Sequence, residues 1–299
     1  MISPDMADQN FEELINKYNF VPNRALGQNF LISRRAVLNI ADELELTPSD
    51  VVLEIGAGTG QLTRELANRA RLVIAVELDR RLEPLLTSYL RDMHSVDLIW
   101  ADVLSVDLRD LLESKGLQPD TIKIAANLPY YATTDIMLKL FADLPTAKKM
   151  ILMVQKEAVG RITAKPGSKQ YGPLSVLTSL YGEIRTFMKL SPQHFWPRPD
   201  IDSSLLSLTA RRDLIGADVG LGTEFVDFLI YAFQHRRKQF LGRLRKEGKF
   251  DQFLLLEDAM SCFVLDNNLN SDFRIENLLP EQLLELYKRA VAAESYLSS

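Results

Sequence analysis

The sequence predicts an α/β fold with a mainly parallel sheet, followed by a small helical domain. Two observations predict this architecture. Between about residues 50 and 210, short apolar runs alternate with amphipathic segments, which is the pattern of repeated β-α-β units. After the middle of the 220s the apolar residues recur at helical spacing instead, as in 225–230 and 280–293.

Seven apolar runs are predicted strands. The parallel strands are expected at 51–55, 72–76, 96–100, 122–126 and 150–154, and two later strands at 184–190 and 205–210. Helix-like segments separate most of the first five runs, as parallel crossovers require. A further helix is predicted at 33–46, packed on the sheet.

Changes in composition divide the chain into four parts. The predicted parts are an N-terminal extension (1–23), the α/β domain (24–210), a linker (211–223) and a helical domain (224–299). The linker is rich in Gly, Asp and Arg and has no clear period, which is typical of a connecting segment. The first 23 residues are compatible with a disordered tail or with a helix over a cleft.

The bulk composition indicates a soluble globular protein. The chain has 299 residues, of which 46% are hydrophobic and 25% are charged. It contains no apolar stretch of about 18 residues, and residues 1–8 lack the pattern of a signal peptide. A single cysteine, Cys262, excludes an internal disulfide, and no Cys/His cluster suits zinc. We therefore expect a cytoplasmic monomer with no metal and no membrane contact.

The charge pattern is mixed. A net charge of −5 argues mildly against nucleic acid as a partner, but binding depends on the local field. One basic segment lies between Gln234 and Lys249 and another between 148 and 169. Either is a candidate phosphate-binding face, although solvated helix surfaces often look the same. The residues that we predict to contact RNA are Arg236, Arg237, Lys238, Arg243, Arg245 and Lys246.

The most informative motif is Asn127-Leu128-Pro129-Tyr130, directly after the fourth predicted strand. Open α/β sheets bind ligands at the carboxyl ends of their strands. The Asn127 side-chain oxygen and a carbonyl beside the proline can accept the two N–H bonds of an exocyclic amine, while the Tyr130 ring covers the base. The alternative is an ordinary turn with Tyr130 in the core.

A glycine-rich turn follows the first strand. It contains Gly56, Gly58 and Gly60 in the spacing G-x-G-x-G, which lets the backbone approach a ligand closely. The spacing differs from the dinucleotide fingerprint G-x-G-x-x-G, and the Lys-Ser/Thr of a phosphate loop is missing. A nucleoside without a pyrophosphate is therefore favoured.

Two more strand ends carry carboxylates. Glu77 ends the second strand and can accept both hydroxyls of a ribose. After the third strand, Asp102 can accept an adenine amino group and Val103 can pack on the ring. Either carboxylate could instead cap a helix. The sequence contains no G-x-S-x-G elbow, Cys/His dyad or H-E-x-x-H. An adenosine-bearing cofactor facing an amine-binding motif points to S-adenosylmethionine and methyl transfer.

With these motifs in place, the chain resembles the small-subunit ribosomal RNA adenine dimethyltransferases (KsgA/Dim type) from about Leu26 to Lys246. The blocks that carry the resemblance are Leu26–Leu31 (LGQNFL), Glu54–Gly60 (EIGAGTG), Val76–Asp79 (VELD), Asn127–Tyr130 (NLPY), Gln155–Val159 (QKEAV), Tyr171–Val176 (YGPLSV), Phe195–Pro199 (FWPRP) and Phe233–Lys238 (FQHRRK). His235 and Trp196 depart from the family pattern.

The resemblance implies a Rossmann-like S-adenosylmethionine-dependent methyltransferase domain. It implies that Asn29 and Leu31 cover the cofactor, that Gly56 and Gly58 lie under it, that Glu77 binds its ribose and that Asp102 binds its adenine. Asn127 would contact both cofactor and substrate, and Tyr130 and Phe195 would enclose the target adenine. The implied partner is small-subunit (16S) rRNA in an immature 30S-type subunit. The implied reaction is dimethylation of the 6-amino groups of two adjacent adenosines in the 3′-terminal hairpin.

We hypothesise an in-line attack of the adenine 6-amino nitrogen on the sulfonium methyl. Two accepted N–H bonds would hold the amine near tetrahedral geometry and raise the electron density on nitrogen. Two alternatives remain. One is a large-subunit rRNA adenine methyltransferase of the antibiotic-resistance type, and the other is a non-catalytic ribosome-assembly or transcription factor on the same fold.

Overall fold

A seven-stranded sheet forms the centre of the computed structural model, which describes residues 15–211, 222–240, 257–270 and 272–297. All seven predicted strands form, within one to two residues of their expected bounds. The strands of this sheet are β2 Val51–Ile55, β3 Leu72–Glu77, β4 Val96–Trp100, β5 Ile122–Asn127, β6 Lys149–Gln155, β7 Gly182–Leu190 and β9 Ser203–Ala210. Two further strands, β1 Phe30–Leu31 and β8 Phe195–Trp196, form a separate pair.

The strand order places a topological switch point at the centre of the sheet. The order is β4-β3-β2-β5-β6-β9-β7; strands β2 to β6 are parallel, and β9 runs antiparallel to both β6 and β7. The chain leaves the β4 edge and returns on the other side of β2 as β5. A crevice between the carboxyl ends of β2 and β5 is where such sheets bind ligands.

The helices whose bounds are described surround the sheet or follow it. They are α1 Arg34–Glu43, α2 Gln61–Ala67, α3 Glu83–Tyr89, α4 Leu108–Glu113, α5 Thr133–Asp143, α6 Lys156–Ile162, α7 Pro173–Tyr181, α8 Thr223–Phe233, α9 Glu257–Asp266 and α10 Pro280–Leu297. Helix α1 begins where the Ser33 hydroxyl accepts the Ala36 N–H. It ends earlier than predicted because Glu45 adopts a positive φ of 52°.

The two faces of the sheet are buried in two apolar clusters. On β2, Leu53 and Ile55 belong to one cluster, whereas Val52 faces the other with α1 and α2. The first cluster continues into the C-terminal helices, since Phe225 of α8 and Leu283 of α10 are fully buried in it. The helices that follow the predicted linker therefore pack directly on the α/β part.

A short antiparallel pair joins two distant segments. In β1 and β8, Phe30 pairs with Trp196 and Leu31 pairs with Phe195. The pair was not predicted, because two residues are too few to show a period. It fixes the segment before α1 to the segment after β7. Within the described ranges, no helix is both long and apolar enough to cross a membrane.

Candidate active site

A cleft opens at the carboxyl ends of β2, β3, β4 and β5. Its empty space, including the part open to solvent, is about 930 Å³, which suits a nucleoside-sized ligand. Residues 26–30 form one of its walls. The predicted site residues that line the cleft are Asn29, Gly56, Gly58, Glu77, Asp102, Val103, Asn127, Leu128, Pro129 and Tyr130.

The glycine-rich turn and Glu77 form one hydrogen-bonded unit. Gly58 donates its N–H to Oε2 of Glu77 at 2.8 Å, and the N–H of Asp79 donates to Oε1 at 2.8 Å. Burial raises the pKa of the Glu77 carboxyl, although these backbone donors oppose the rise. Each oxygen keeps a lone pair, so the carboxylate can still accept a hydroxyl.

Asp102 and Val103 lie at the end of the cleft beside β4. Asp102 is exposed, and its Oδ1 accepts the N–H of Leu104 at 2.9 Å. Val103 is buried and faces the cleft. A free carboxylate oxygen beside an apolar wall is an arrangement that can hold an adenine by its edge and its face.

The amide of Asn127 is oriented by the N-terminal wall. Its Nδ2 donates to the backbone oxygen of Asn29 at 3.1 Å. This bond leaves Oδ1 as the part of the side chain that can accept a hydrogen bond, and no described residue donates to it. Asn127 thus lines the cleft with its side-chain oxygen available as an acceptor.

The neighbouring carbonyls differ in availability. The Pro129 oxygen accepts both the Ala132 N–H at 3.1 Å and the Thr133 hydroxyl at 3.0 Å. No described donor is bonded to the backbone oxygen of Leu128. The Leu128 N–H donates to the backbone oxygen of Met153 at 3.1 Å. The sequence did not decide which carbonyl beside the proline accepts a substrate amine; the Leu128 carbonyl is the more available of the two.

Tyr130 is half-buried at the cleft, and its hydroxyl lies 3.2 Å from Oγ of Ser203. Burial raises the pKa of the Tyr130 phenol, so the ring is neutral at physiological pH. Its neighbour Tyr131 is 60% exposed at the mouth of the cleft.

Phe195 does not lie with Tyr130 in this structure. Its side chain is only 2% exposed, it is absent from the cleft lining, and it packs in the core through the β1–β8 pair. The expected enclosure of a base between Tyr130 and Phe195 is therefore not formed here, because strand pairing with Leu31 turns Phe195 inward.

A smaller recess adjoins the cleft behind the glycine turn. Leu31 lines it, together with Phe30, Gly56, Gly58 and Asn127, which also line the cleft. The recess contains Glu54, which is fully buried, and neither of its carboxylate oxygens is hydrogen-bonded to a described residue. Burial raises the pKa of Glu54 to about 8; the nearby Thr63 hydroxyl opposes the rise and the Glu77 charge adds to it.

Glu54 was not among the predicted site residues. The signal that could have revealed it is an acidic residue inside an otherwise apolar strand, Val51–Ile55, immediately before the glycines. A buried acid without a partner is costly in a fold unless a ligand compensates it. Its position makes it a candidate partner for a cationic group.

The basic residues between Gln234 and Lys249 lie in different environments. Arg236 forms an ion pair with Glu276 at 3.4 Å and donates to the backbone oxygen of Tyr171 at 2.7 Å, so it joins two parts of the fold. Arg237 and Lys238 are exposed. The other predicted RNA contacts, Arg243, Arg245 and Lys246, lie outside the described residues.

The earlier basic segment also divides. Lys149 is buried at the amino end of β6, the end of the strand away from the cleft, and forms ion pairs with Glu43 and Glu45. Lys148 directly precedes β6 and is exposed, whereas the remaining members follow the carboxyl end of β6, on the side of the site. The exposed members there are Lys156, Arg161, Lys165 and Lys169.

No group of three or more His, Cys, Asp or Glu side chains is arranged to hold a metal within the described part of the chain. The polar groups of the cleft instead suit an adenosine with a cationic amino-acid arm. Glu77 and Asp102 offer acceptors for hydroxyls and an amine, and Glu54 offers an uncompensated carboxyl for a cation.

Comparison with known proteins decides the family. The family model for ribosomal RNA adenine dimethylase matches residues 19–290. The chain belongs to the ribosomal RNA adenine dimethylase family. Ribosomal RNA small subunit methyltransferase A of Clostridium botulinum (strain Kyoto / Type A2) is 42% identical over 67% of this chain and 71% of its own length. The protein of the same name from Halothermothrix orenii is 38% identical and covers 82% of each chain.

Solved structures agree on the fold of this dimethylase. A dimethyladenosine transferase from Plasmodium falciparum superimposes with a TM-score of 0.65 at 21% identity, over 88% of this chain and 98% of that one. The predicted fold class, with its C-terminal helical region, and the predicted family are confirmed. The dimethylase is an S-adenosylmethionine-dependent methyltransferase, as the motifs and the resemblance predicted.

Proposed function

We propose that this dimethylase transfers two methyl groups to the 6-amino group of each of two adjacent adenosines in the 3′-terminal hairpin of small-subunit rRNA. The observation that carries the proposal is the pair of available acceptors, Asn127 Oδ1 and the Leu128 carbonyl, at the switch point of the sheet. An exocyclic amine has two N–H donors, so this pair can accept both.

The residues around the cleft supply a consistent set of cofactor contacts. In the proposal Glu77 accepts the ribose hydroxyls, Asp102 accepts the adenine amine and Val103 packs on the ring. Asn29, Leu31, Gly56 and Gly58 surround the amino-acid arm, and Glu54 compensates its ammonium group. When bound, S-adenosylmethionine supplies a methyl group on a positively charged sulfur, so its leaving group needs no metal.

The chain's own contribution to the reaction is positioning and fixed dipoles. The lone pair of the adenine 6-amino nitrogen is delocalised into the ring, which makes it a poor nucleophile. Accepting both N–H bonds at Asn127 and Leu128 localises that lone pair and aims it at the cofactor, which can lower the barrier by several kcal/mol. After the first methyl transfer the nitrogen loses a proton to water, so one N–H remains, and either acceptor can hold it.

The Tyr130 ring supports capture of an extruded base. It is neutral, lies beside the acceptor pair and is held by Ser203, so it is pre-oriented for stacking. We propose that Phe195 contributes only if the β1–β8 region repacks when RNA binds. Lys156, Arg161, Lys165, Lys169, Arg237 and Lys238 are the described exposed cations that we propose for phosphate contacts.

The small-subunit assignment is favoured over a large-subunit one by the relatives, which are named for the small subunit. We propose an immature 30S-type particle in the cytoplasm as the substrate and a monomer as the active form. Arg243, Arg245 and Lys246 remain proposed RNA contacts, and the predicted division at 211–223 remains a proposed boundary.

The test is to incubate the protein with labelled S-adenosylmethionine and immature small subunits, and to map the modified bases. We expect label at two adjacent adenosines near the 3′ end, each carrying two methyl groups. Label confined to large-subunit rRNA would establish the alternative enzyme. RNA binding without any transfer would establish the non-catalytic alternative.

A further inference from the structure

A segment before α1, residues 20–31, forms one wall of the cleft, and we refer to it as the N-terminal strap. Its residues 26–30 line the cleft directly. The far end of the strap is held by β1 and by the bond from Asn127 to Asn29. The near end is held by a different set of contacts, which centre on Gln28.

Gln28 uses both ends of its side-chain amide. Its Nε2 donates to Oδ2 of Asp79 at 2.8 Å, and its Oε1 accepts the N–H of Asn23 at 2.6 Å. One side chain therefore fixes the bend of the strap and connects it to the segment that follows β3. Both bonds are partly buried, where hydrogen bonds are stronger than at an exposed surface.

Asp79 is itself bonded to the predicted ribose acceptor. Its N–H donates to Oε1 of Glu77 at 2.8 Å, and its carboxylate accepts the Arg81 Nε at 2.8 Å. The Arg81 guanidinium keeps the pKa of Asp79 below its usual range, so Asp79 is ionised and is a strong acceptor. The chain of bonds thus runs from the strap through Asp79 to Glu77.

Aromatic packing reinforces the same wall. Phe20 meets Phe30 edge-on at 5.8 Å, and the Arg81 guanidinium lies 5.4 Å from the Phe20 ring centre. Phe30 in turn stacks on Trp196 at 6.3 Å. These contacts place the strap against the glycine turn, whose Gly58 N–H holds one oxygen of Glu77, while the Asp79 N–H at the end of the polar chain holds the other.

We propose that Gln28 is a positioning residue of the cofactor site. Its bond to Asp79 fixes the strap as a wall of the cleft and keeps the Glu77 carboxylate in position through the Asp79 N–H. The inference rests on the cofactor assignment of the cleft and not on the identity of the RNA.

A double-mutant cycle that exchanges the donor and the acceptor of this hydrogen bond tests it. Gln28→Glu places a carboxylate against Asp79, and we expect the dissociation constant for S-adenosylmethionine to rise about tenfold or more without RNA. Asp79→Asn keeps an acceptor, so its rise should be about threefold or less. The double variant restores a donor–acceptor pair and should recover most of the affinity.

Four readouts separate positioning from loss of folding. Calorimetry gives the dissociation constant, and thermal unfolding shows whether each variant is folded. In a Trp100→Phe background, the emission of Trp196, which stacks on Phe30 of the strap, should change on cofactor binding in the parent and in the double variant. KM for the cofactor should rise in Gln28→Glu while kcat at saturation changes little.

Gln118→Glu is the matched control, since Gln118 is exposed and lies before the helical turn Pro119–Thr121, outside the cleft lining. It should bind cofactor as the parent does. Parent-like affinity of Gln28→Glu would overturn the proposal, and so would a folded double variant that is as weak as Gln28→Glu. Methylation of a different RNA would contradict the proposed function but leave this cycle unaffected.

Discussion

The side-chain nitrogen of Asn127 donates to the backbone oxygen of Asn29, 3.1 Å away across the cleft. The bond orients the amide so that its oxygen faces the space for a substrate amine. It also joins Asn127, the proposed acceptor of the substrate amine, to the N-terminal strap, which borders the proposed cofactor site. A change at Asn127 should therefore affect both, but to different degrees.

Asn127→Ala should lower kcat by about 10²- to 10³-fold, because one fixed acceptor for the developing charge is lost. Cofactor affinity should fall only a few-fold, since the strap keeps its other contacts. Single-turnover methyl transfer and calorimetry measure the two effects separately. Near-normal transfer in a folded Asn127→Ala protein would refute the assignment.

Glu54→Gln should change how stability depends on pH. The folded-state pKa of about 8 lies above the ordinary value of 4.5, so between these values the folded protein holds a proton that the unfolded chain has lost. The stability of the cofactor-free protein therefore falls as pH rises through this window. Glu54→Gln should remove that fall and be more stable by roughly 2 to 5 kcal/mol above pH 8.

The same variant should bind the cofactor less well. An ionised Glu54 is the form that attracts an ammonium, so parent affinity should increase from pH 6 to pH 8, and Glu54→Gln should lose this increase. Denaturant unfolding and calorimetry across that range measure both slopes. Identical slopes in parent and variant would show that Glu54 does not titrate there.

Tyr130→Ala should weaken capture of the target base by about 1 to 3 kcal/mol, seen as a higher KM for the RNA substrate. Tyr130→Phe retains the ring and loses only the contact with Ser203, so its KM should rise much less. Ser203→Ala is the control for that contact. Equal KM values for the alanine and phenylalanine variants would contradict a stacking role.

Neighbouring arginines should behave differently on substitution. Arg236→Ala should destabilise the fold by about 1 to 3 kcal/mol, because Glu276 and the Tyr171 oxygen lose a charged partner. Arg237→Ala combined with Lys238→Ala should leave stability unchanged and lower RNA affinity and its salt dependence. Thermal unfolding and salt titrations of binding distinguish them. An Arg237/Lys238 double variant with unaltered salt dependence would remove these residues from the interface.

Gly58→Ala should weaken cofactor binding about tenfold. Gly58 has φ +56°, and an added Cβ would lie 3.0 Å from the Phe30 ring, which is part of the strap. Gly116→Ala is the matched control, because Gly116 also has a positive φ, 67°, but its Cβ would meet no atom within 4 Å. Both should lose some stability, whereas only Gly58→Ala should lose affinity beyond that. Equal affinities in the two variants would contradict contact between the turn and the strap.

The strand ends were predictable because parallel strands bring distant residues to one edge. Gly56, Glu77, Asp102 and Asn127 follow four separate apolar runs, and the sheet order alone makes them neighbours. Each run is long enough for its apolar character to be visible in the sequence.

Features that depend on one tertiary contact were not predictable. The inward turn of Phe195 follows from pairing with Leu31, and neither segment has a period that would indicate it. Arg236 resembles its neighbours in a basic run, and only its contact with Glu276 separates it from them. Glu54 was not predicted, because the sequence does not show whether an acidic residue inside a strand has a hydrogen-bond partner.

The two-residue ladder between β1 and β8 has a consequence for the order of assembly during translation. Leu31 leaves the ribosome early, but its partner Phe195 is made only after six strands of the sheet. A partly synthesised chain can form the glycine turn and the Glu77 end while the wall beside them is held only by the bonds of Gln28 and Asn127. Retention of cofactor should therefore strengthen when synthesis has passed Phe195.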